Sequence, residues 1–158
     1  MVRDRDTAGR PRNARPRDAL GRPLPHGAEG VEPIPDDLDI PAGEALDLAQ
    51  RLIDEGSPFR AHEVLEAVWK SAPEAERELW RGLAQVAVGL THAQRGNAGG
   101  SRALLSRGAD RVSGYAETAP YGIDASGVAR TARELVRRLD ASGLDGVAPD
   151  DLGVRLRG

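Results

Sequence analysis

A chain of 158 residues is enough for one domain and does not require two. It contains no cysteine, which excludes disulfides and thiolate metal sites. With 39% apolar residues and only two Trp, two Tyr and one Phe, a core must be built from Ala, Leu and Val, which suits helices better than a sheet, and a net charge of −3 argues against a uniformly basic nucleic-acid binder.

The charge is uneven along the chain. Residues 1–22 carry seven Arg and three Asp, a net of +4, which leaves −7 for the rest. Of the 22 basic residues only Lys70 is lysine. An Arg skew suits phosphate binding, but it also follows from a G+C-rich coding sequence. The basic arm is therefore expected either to touch nucleic acid or an acidic partner, or to fold back on its own body. Residues 1–43 hold seven of the eleven prolines and show no helical or strand period. Proline removes a backbone donor and disfavours the α region for the residue before it, so this stretch reads as an extended arm. His26 lies in it and is assigned no role. No apolar run approaches the ~20 residues that span a bilayer. No hydrophobic stretch follows the charged N-terminal residues as a secretory signal would require, so the expectation is a cytoplasmic protein without membrane contact.

Five helices follow. The first is expected from about Glu44 to Asp54, with Ala45, Leu46, Leu48, Ala49, Leu52 and Ile53 on one side and Gly56 ending it. The second opens at Ser57-Pro58, a capping residue and a first-turn proline, and runs to about Lys70. The third runs from about Pro73 to Arg95, behind a Ser71-Ala72-Pro73-Glu74 start with acidic residues in its first turn. Its second half is apolar almost all round, as a central helix would be. Gly82 and Gly89 share one of its faces. An interior glycine costs roughly 1 kcal/mol against Ala, and close approach of a neighbouring helix is the expected return. Gly96 stops the helix and Asn97 caps the fourth, about Ala98–Val112. A loop from Gly114 to Gly127 leads to the fifth, about Val128–Leu139, with a polar face of Arg130, Arg133, Glu134 and Arg137. Residues 141–158 are Gly-rich and expected to be a flexible tail. No stretch alternates as a strand would. The expectation is a small all-α array of about five helices in residues 44–140, around a central hairpin of the second and third helices.

One polar constellation stands out. His62 and Glu66, four apart, lie one above the other on the second helix. Arg81, Gln85, Val88 and His92 form the only polar stripe in the apolar half of the third. If the two stripes face each other, His62, Glu66, Gln85 and His92 make a seam whose burial demands partners. Three readings stay open: an internal hydrogen-bond network, a small-molecule or general acid/base pocket, and a divalent metal site with His62, Glu66 and His92 as ligands. HEVLE shares its first two residues with the zinc-protease HExxH motif but lacks the second His, so the protease reading fails. Trp69 and Trp80 read as core anchors, Trp69 alternatively as a wall of the pocket. Arg95 reads as part of a helix stop, or as an anion ligand near the start of the fourth helix beside Asn97. No phosphate-binding or dinucleotide glycine motif and no nucleophile elbow is present.

The HE..E..W of His62, Glu63, Glu66 and Trp69, the LW.GL.Q.A of Leu79 to Ala87, the H..RGN of His92 to Asn97 and the following Leu104-Leu105 together resemble the family catalogued as domain of unknown function 309. The resemblance covers about Phe59–Arg107, and the arm resembles extensions on members from high-G+C bacteria. It implies a small helical array and no established activity. Ser101 stands where an Ala is expected. The resulting expectation is a non-catalytic ligand-binding or interaction module, with a small molecule or a protein as partner and dimerisation open because the core is small. The alternative is a metal-dependent enzyme.

Overall fold

The computed structural model describes residues 34–35 and 38–158. Most of the N-terminal arm, including its Arg-rich stretch and His26, lies outside the described residues. The described residues form five α-helices: α1 (Ala42–Asp54), α2 (Pro58–Ser71), α3 (Glu74–Gln94), α4 (Ala98–Ser113) and α5 (Ala125–Ser142). Two single-turn 3-10 helices follow at Gly143–Gly146 and Pro149–Leu152. Among the described residues there is no strand, only an isolated antiparallel bridge between Ile123 and Arg157. The fold is all-α, and no helix among the described residues is long and apolar enough to cross a membrane.

Local chemistry explains most helix boundaries. Gly56 and Gly96 end α1 and α3 at φ 82° and 83°, a left-handed backbone that an L side chain rarely adopts. Pro58 opens α2, although the Ser57 side chain makes no capping bond. Asn97 caps α4 by accepting from the Gly100 N–H at 2.9 Å. α5 begins one turn earlier than its apolar stripe indicates, because the Asp124 carboxylate accepts from the Gly127 N–H at 3.1 Å.

α3 is the centre, packed between α2 and α4, with Leu79, Trp80, Leu83, Val86 and Leu90 buried in the hydrophobic core. Its most extensive packing is against α4, with α2, its partner in the expected hairpin, next. Glycines make this crossing close. A Cβ on Gly82 would lie 2.7 Å from Val112 Cγ2 and 3.1 Å from the Gly108 carbonyl oxygen, and one on Gly89 would lie 2.7 Å from Leu105 Cγ. On the facing helix, a Cβ on Gly108 would lie 2.8 Å from the Gly82 carbonyl oxygen. Backbone meets backbone there, so no rotamer change can relieve a Gly108→Ala clash. Overpacking of this kind costs about 1–3 kcal/mol and outweighs the ~1 kcal/mol of helix propensity that alanine brings. Gly108→Ala is expected to lower the melting midpoint. Gly99→Ala, whose Cβ would meet only Asn97 Oδ1 at 3.9 Å, is expected to leave it unchanged or raise it. Thermal melts followed by circular dichroism check the pair.

The Gly-rich C-terminal stretch contributes two side chains to the core. Val154 is 0% and Leu156 2% exposed. The Gln50 side chain holds their backbone from α1, donating to the Val154 carbonyl at 2.9 Å and accepting from the Leu156 N–H at 2.8 Å. Leu156 in turn accepts from the Asp124 N–H at 2.8 Å, and Arg157 pairs with Asp47 at 3.0 Å. At the other end of the described chain, Ile34, Leu38 and Ile40 lie half-buried on the same core.

Candidate functional site

The seam expected between α2 and α3 separates into two local clusters. On α2, the His62 ring is bounded on both sides: Nδ1 is 3.0 Å from the Phe59 carbonyl oxygen and Nε2 is 2.9 Å from a Glu66 carboxylate oxygen. Both neighbours are acceptors. A neutral ring donates to one of them, and a protonated ring to both. The side chains are 19% and 42% exposed, so the pair sits at the edge of the helix packing, where the desolvation that makes a buried ion pair expensive is relaxed. The His62 hydrogen bond holds the Glu66 carboxyl below the usual carboxylate range, helped by the His62 and Lys70 charges and opposed by partial burial. A depressed carboxyl adds stability above its unfolded value and loses it as pH falls through the folded one. At this exposure the effect is a few tenths of a kcal/mol.

On α3, His92 turns to the α3–α4 turn. Its Nδ1 is 3.2 Å from Asn97 Nδ2. Gly82 and Gly89 face α4, and Arg81 and Val88, each one residue before a glycine, sit about 100° round the helix from them. The Arg81–Gln85–Val88–His92 stripe therefore lies off the α4-facing side of α3, and the bonds of His62 and Glu66 run to Phe59 and to each other while that of His92 runs to Asn97. Among the described residues no group of three His, Asp or Glu is placed to hold a metal ion. The ligand set of His62, Glu66 and His92 is not assembled, because helical spacing fixes neighbours within one helix but not the rotation of one helix against the next.

The remaining seam residues divide in the same way. Gln85 Oε1 is shut off from solvent without a donor. Arg81 is half-exposed, with its guanidinium 3.9 Å from Glu78. Trp69 lies half-buried under the Arg77 guanidinium, 5.5 Å from the ring centre. Arg95 stacks on Phe59 at 5.5 Å instead of reaching toward the start of α4. These two cation–aromatic pairs flank His62–Glu66 along the α2–α3 edge. The Phe59 ring also stands 5.2 Å from that of His62.

Ser101 is fully buried and its hydroxyl has no partner among the described residues. A buried hydroxyl without a bond costs about 1–3 kcal/mol. Ser101→Ala is therefore expected to stabilise the protein by about 1 kcal/mol, read as a shift in the denaturant midpoint without a change in slope.

Two further clusters escape sequence reasoning. The Glu76 carboxylate accepts from the indole N–H of Trp80 at 3.2 Å and from the Tyr121 hydroxyl at 3.3 Å. Tyr121 sits at φ 61°, the only non-glycine residue with positive φ among those described, and burial together with Glu76 pushes its hydroxyl pKa up. The i, i+4 spacing of Glu76 and Trp80 was a visible signal, whereas Tyr121 gave none. The outer face of α5 carries a depression of about 390 Å³ lined by Arg130, Arg137, Arg138, Glu134 and Asp151. Arg137 pairs with Glu134, and Arg138 with Asp151 at 2.9 Å, so most of its charge is internally neutralised.

The fold and these clusters define an all-helical protein with a glycine-packed centre and a polar α3–α4 turn. Residues 46–104 match the model of the family described as Domain of unknown function (DUF309). That stretch takes in most of α1, all of α2 and α3, and the start of α4. The chain is 41% identical over 49 residues to a Bacillus subtilis (strain 168) protein described as Uncharacterized protein YpuF. The match covers 30% of this chain and 28% of that relative. No solved structure matches the chain.

Proposed function

We propose that the protein is a non-catalytic ligand-binding or interaction module that uses the α2–α3 edge as its contact surface. The observation that carries this reading is the commitment of the polar groups there. The His62 ring lies between the Phe59 carbonyl and Glu66, Glu66 is paired with it, and His92 is engaged by Asn97. No side chain of the set is held in the position of a general base or nucleophile. What the edge does offer is half-buried Phe59 and Trp69, each under a guanidinium. Aromatic and Arg side chains of this kind are the residues enriched at the energetic centres of interfaces.

The test is to incubate the full chain with a cell metabolite extract and follow it over time by mass spectrometry. No species is expected to be consumed. Turnover that disappears in both His62→Ala and Glu66→Gln, with their melting midpoints kept, would overturn the non-catalytic reading.

A further inference from the structure

The α3–α4 turn contains a hydrogen-bond chain whose direction is fixed by its own chemistry. The Asn97 amide is used at both ends. Its oxygen accepts from the Gly100 N–H at 2.9 Å, capping α4, and its NH2 group faces His92 Nδ1 at 3.2 Å. An amide NH2 can only donate, so Nδ1 is an acceptor and the ring proton sits on Nε2. A proton added to Nδ1 would set donor against donor. Rotating the Asn97 amide would repair that contact but turn its NH2 group toward the Gly100 N–H and lose the cap.

The three groups also pack against one another. A Cβ on Gly100 would lie 2.6 Å from Asn97 Nδ2 and 3.0 Å from His92 Cγ, so ring, amide and backbone are in close packing. The charges that bear on the ring reinforce the neutral form. Arg95, on the same turn, repels an imidazolium, and the positive end of α4 points at it. The negative end of α3 works the other way. On α2, His62 and Glu66 are occupied with each other, and no acidic side chain among the described residues pairs with His92. Partial burial first, and Arg95 second, hold the His92 pKa below the usual histidine range.

We propose that His92, Asn97 and Gly100 form a proton-operated catch on the α3–α4 turn: the neutral ring holds Asn97 in place as the cap of α4, and protonation releases the cap and loosens the first turn of that helix. The sign follows from linkage. The released turn leaves His92 with an ordinary affinity for protons and the closed turn lowers it, so acid favours release.

The experiment is NMR on the full chain from about pH 7.5 to about pH 5, the range in which histidines ordinarily titrate. It follows the His92 ring nitrogens, the Asn97 side-chain NH2 group and the Gly100 amide. Solvent exchange at Gly100, corrected for the intrinsic pH dependence of exchange, is expected to rise roughly five- to tenfold, the factor a lost helix cap represents. That rise should share its midpoint with His92 protonation. His92→Gln keeps an acceptor for Asn97 Nδ2 and carries no titrating group, so the rise should vanish. Asn97→Asp should reverse it, because a carboxylate accepts from both the Gly100 N–H and a protonated ring. Gly100 exchange that ignores the His92 midpoint, survives in His92→Gln, or keeps its direction in Asn97→Asp overturns the proposal.

Discussion

Ending the chain after Leu152 is expected to unfold most of the protein at 37 °C, although only six residues are lost. The deletion removes Val154 and Leu156, at 0% and 2% exposure, from the core. Each buried aliphatic side chain of this size contributes about 1.5–3 kcal/mol by area alone. It also leaves the half-buried Gln50 amide without its two long-range backbone partners and Asp124 without the carbonyl that receives its N–H. The summed loss approaches the ~5–15 kcal/mol that holds a whole domain together. Circular dichroism of the truncated chain measures it, with Leu156→Ala as the milder companion at about 2–5 kcal/mol. A truncated chain that melts where the full one does would show that these contacts contribute nothing.

That segment is also where the sequence was least legible. Val154 and Leu156 stand in a Gly- and Asp-rich stretch with no helical period, and what buries them is an α1 side chain more than a hundred residues away. Local pattern cannot carry such information. It could carry the helix boundaries. Gly56, Pro58, Gly96 and Asn97 act through their own φ, missing donor or side-chain oxygen, and each stands where its chemistry dictates. Asp124 acts in the same local way, but the small residues after it in Asp-Ala-Ser-Gly look like loop, so the first turn of α5 was hidden.

The seam was half legible for a related reason. The i, i+4 rule places His62 on Glu66 correctly. Whether their helix side meets the stripe of Gln85 and His92 depends on how α3 is rotated against its neighbours. The glycines settle that rotation by turning toward α4. Gly82 and Gly89 form a close-approach face, and that face takes α4.

Trp80→Ala is expected to destabilise the protein by about 3–5 kcal/mol, the largest effect of any single side chain in the helical core. Trp80 is the largest of the fully buried side chains, and α3, which carries it, is the helix on which α2 and α4 pack. Two separate losses add up. One is the cavity, which the glycine-tight α3–α4 crossing cannot close by sliding, since the backbones there are already in contact. The other is the indole N–H, whose acceptor, Glu76, also receives the Tyr121 hydroxyl. With the indole gone, Tyr121 loses the ring it stands against at 6.1 Å, while its φ of 61° still has to be held. A residue kept in that conformation costs roughly 1–3 kcal/mol and persists only where its surroundings fix it. Trp80→Phe separates the terms. It fills most of the volume but cannot donate, so it should recover the cavity part and leave the Glu76–Tyr121 contact short of one partner. Denaturant midpoints of the two variants, with Tyr121→Gly as the control that removes the backbone constraint, give the division. If Trp80→Phe is as stable as the native chain, the indole N–H has no part in holding the Tyr121 turn.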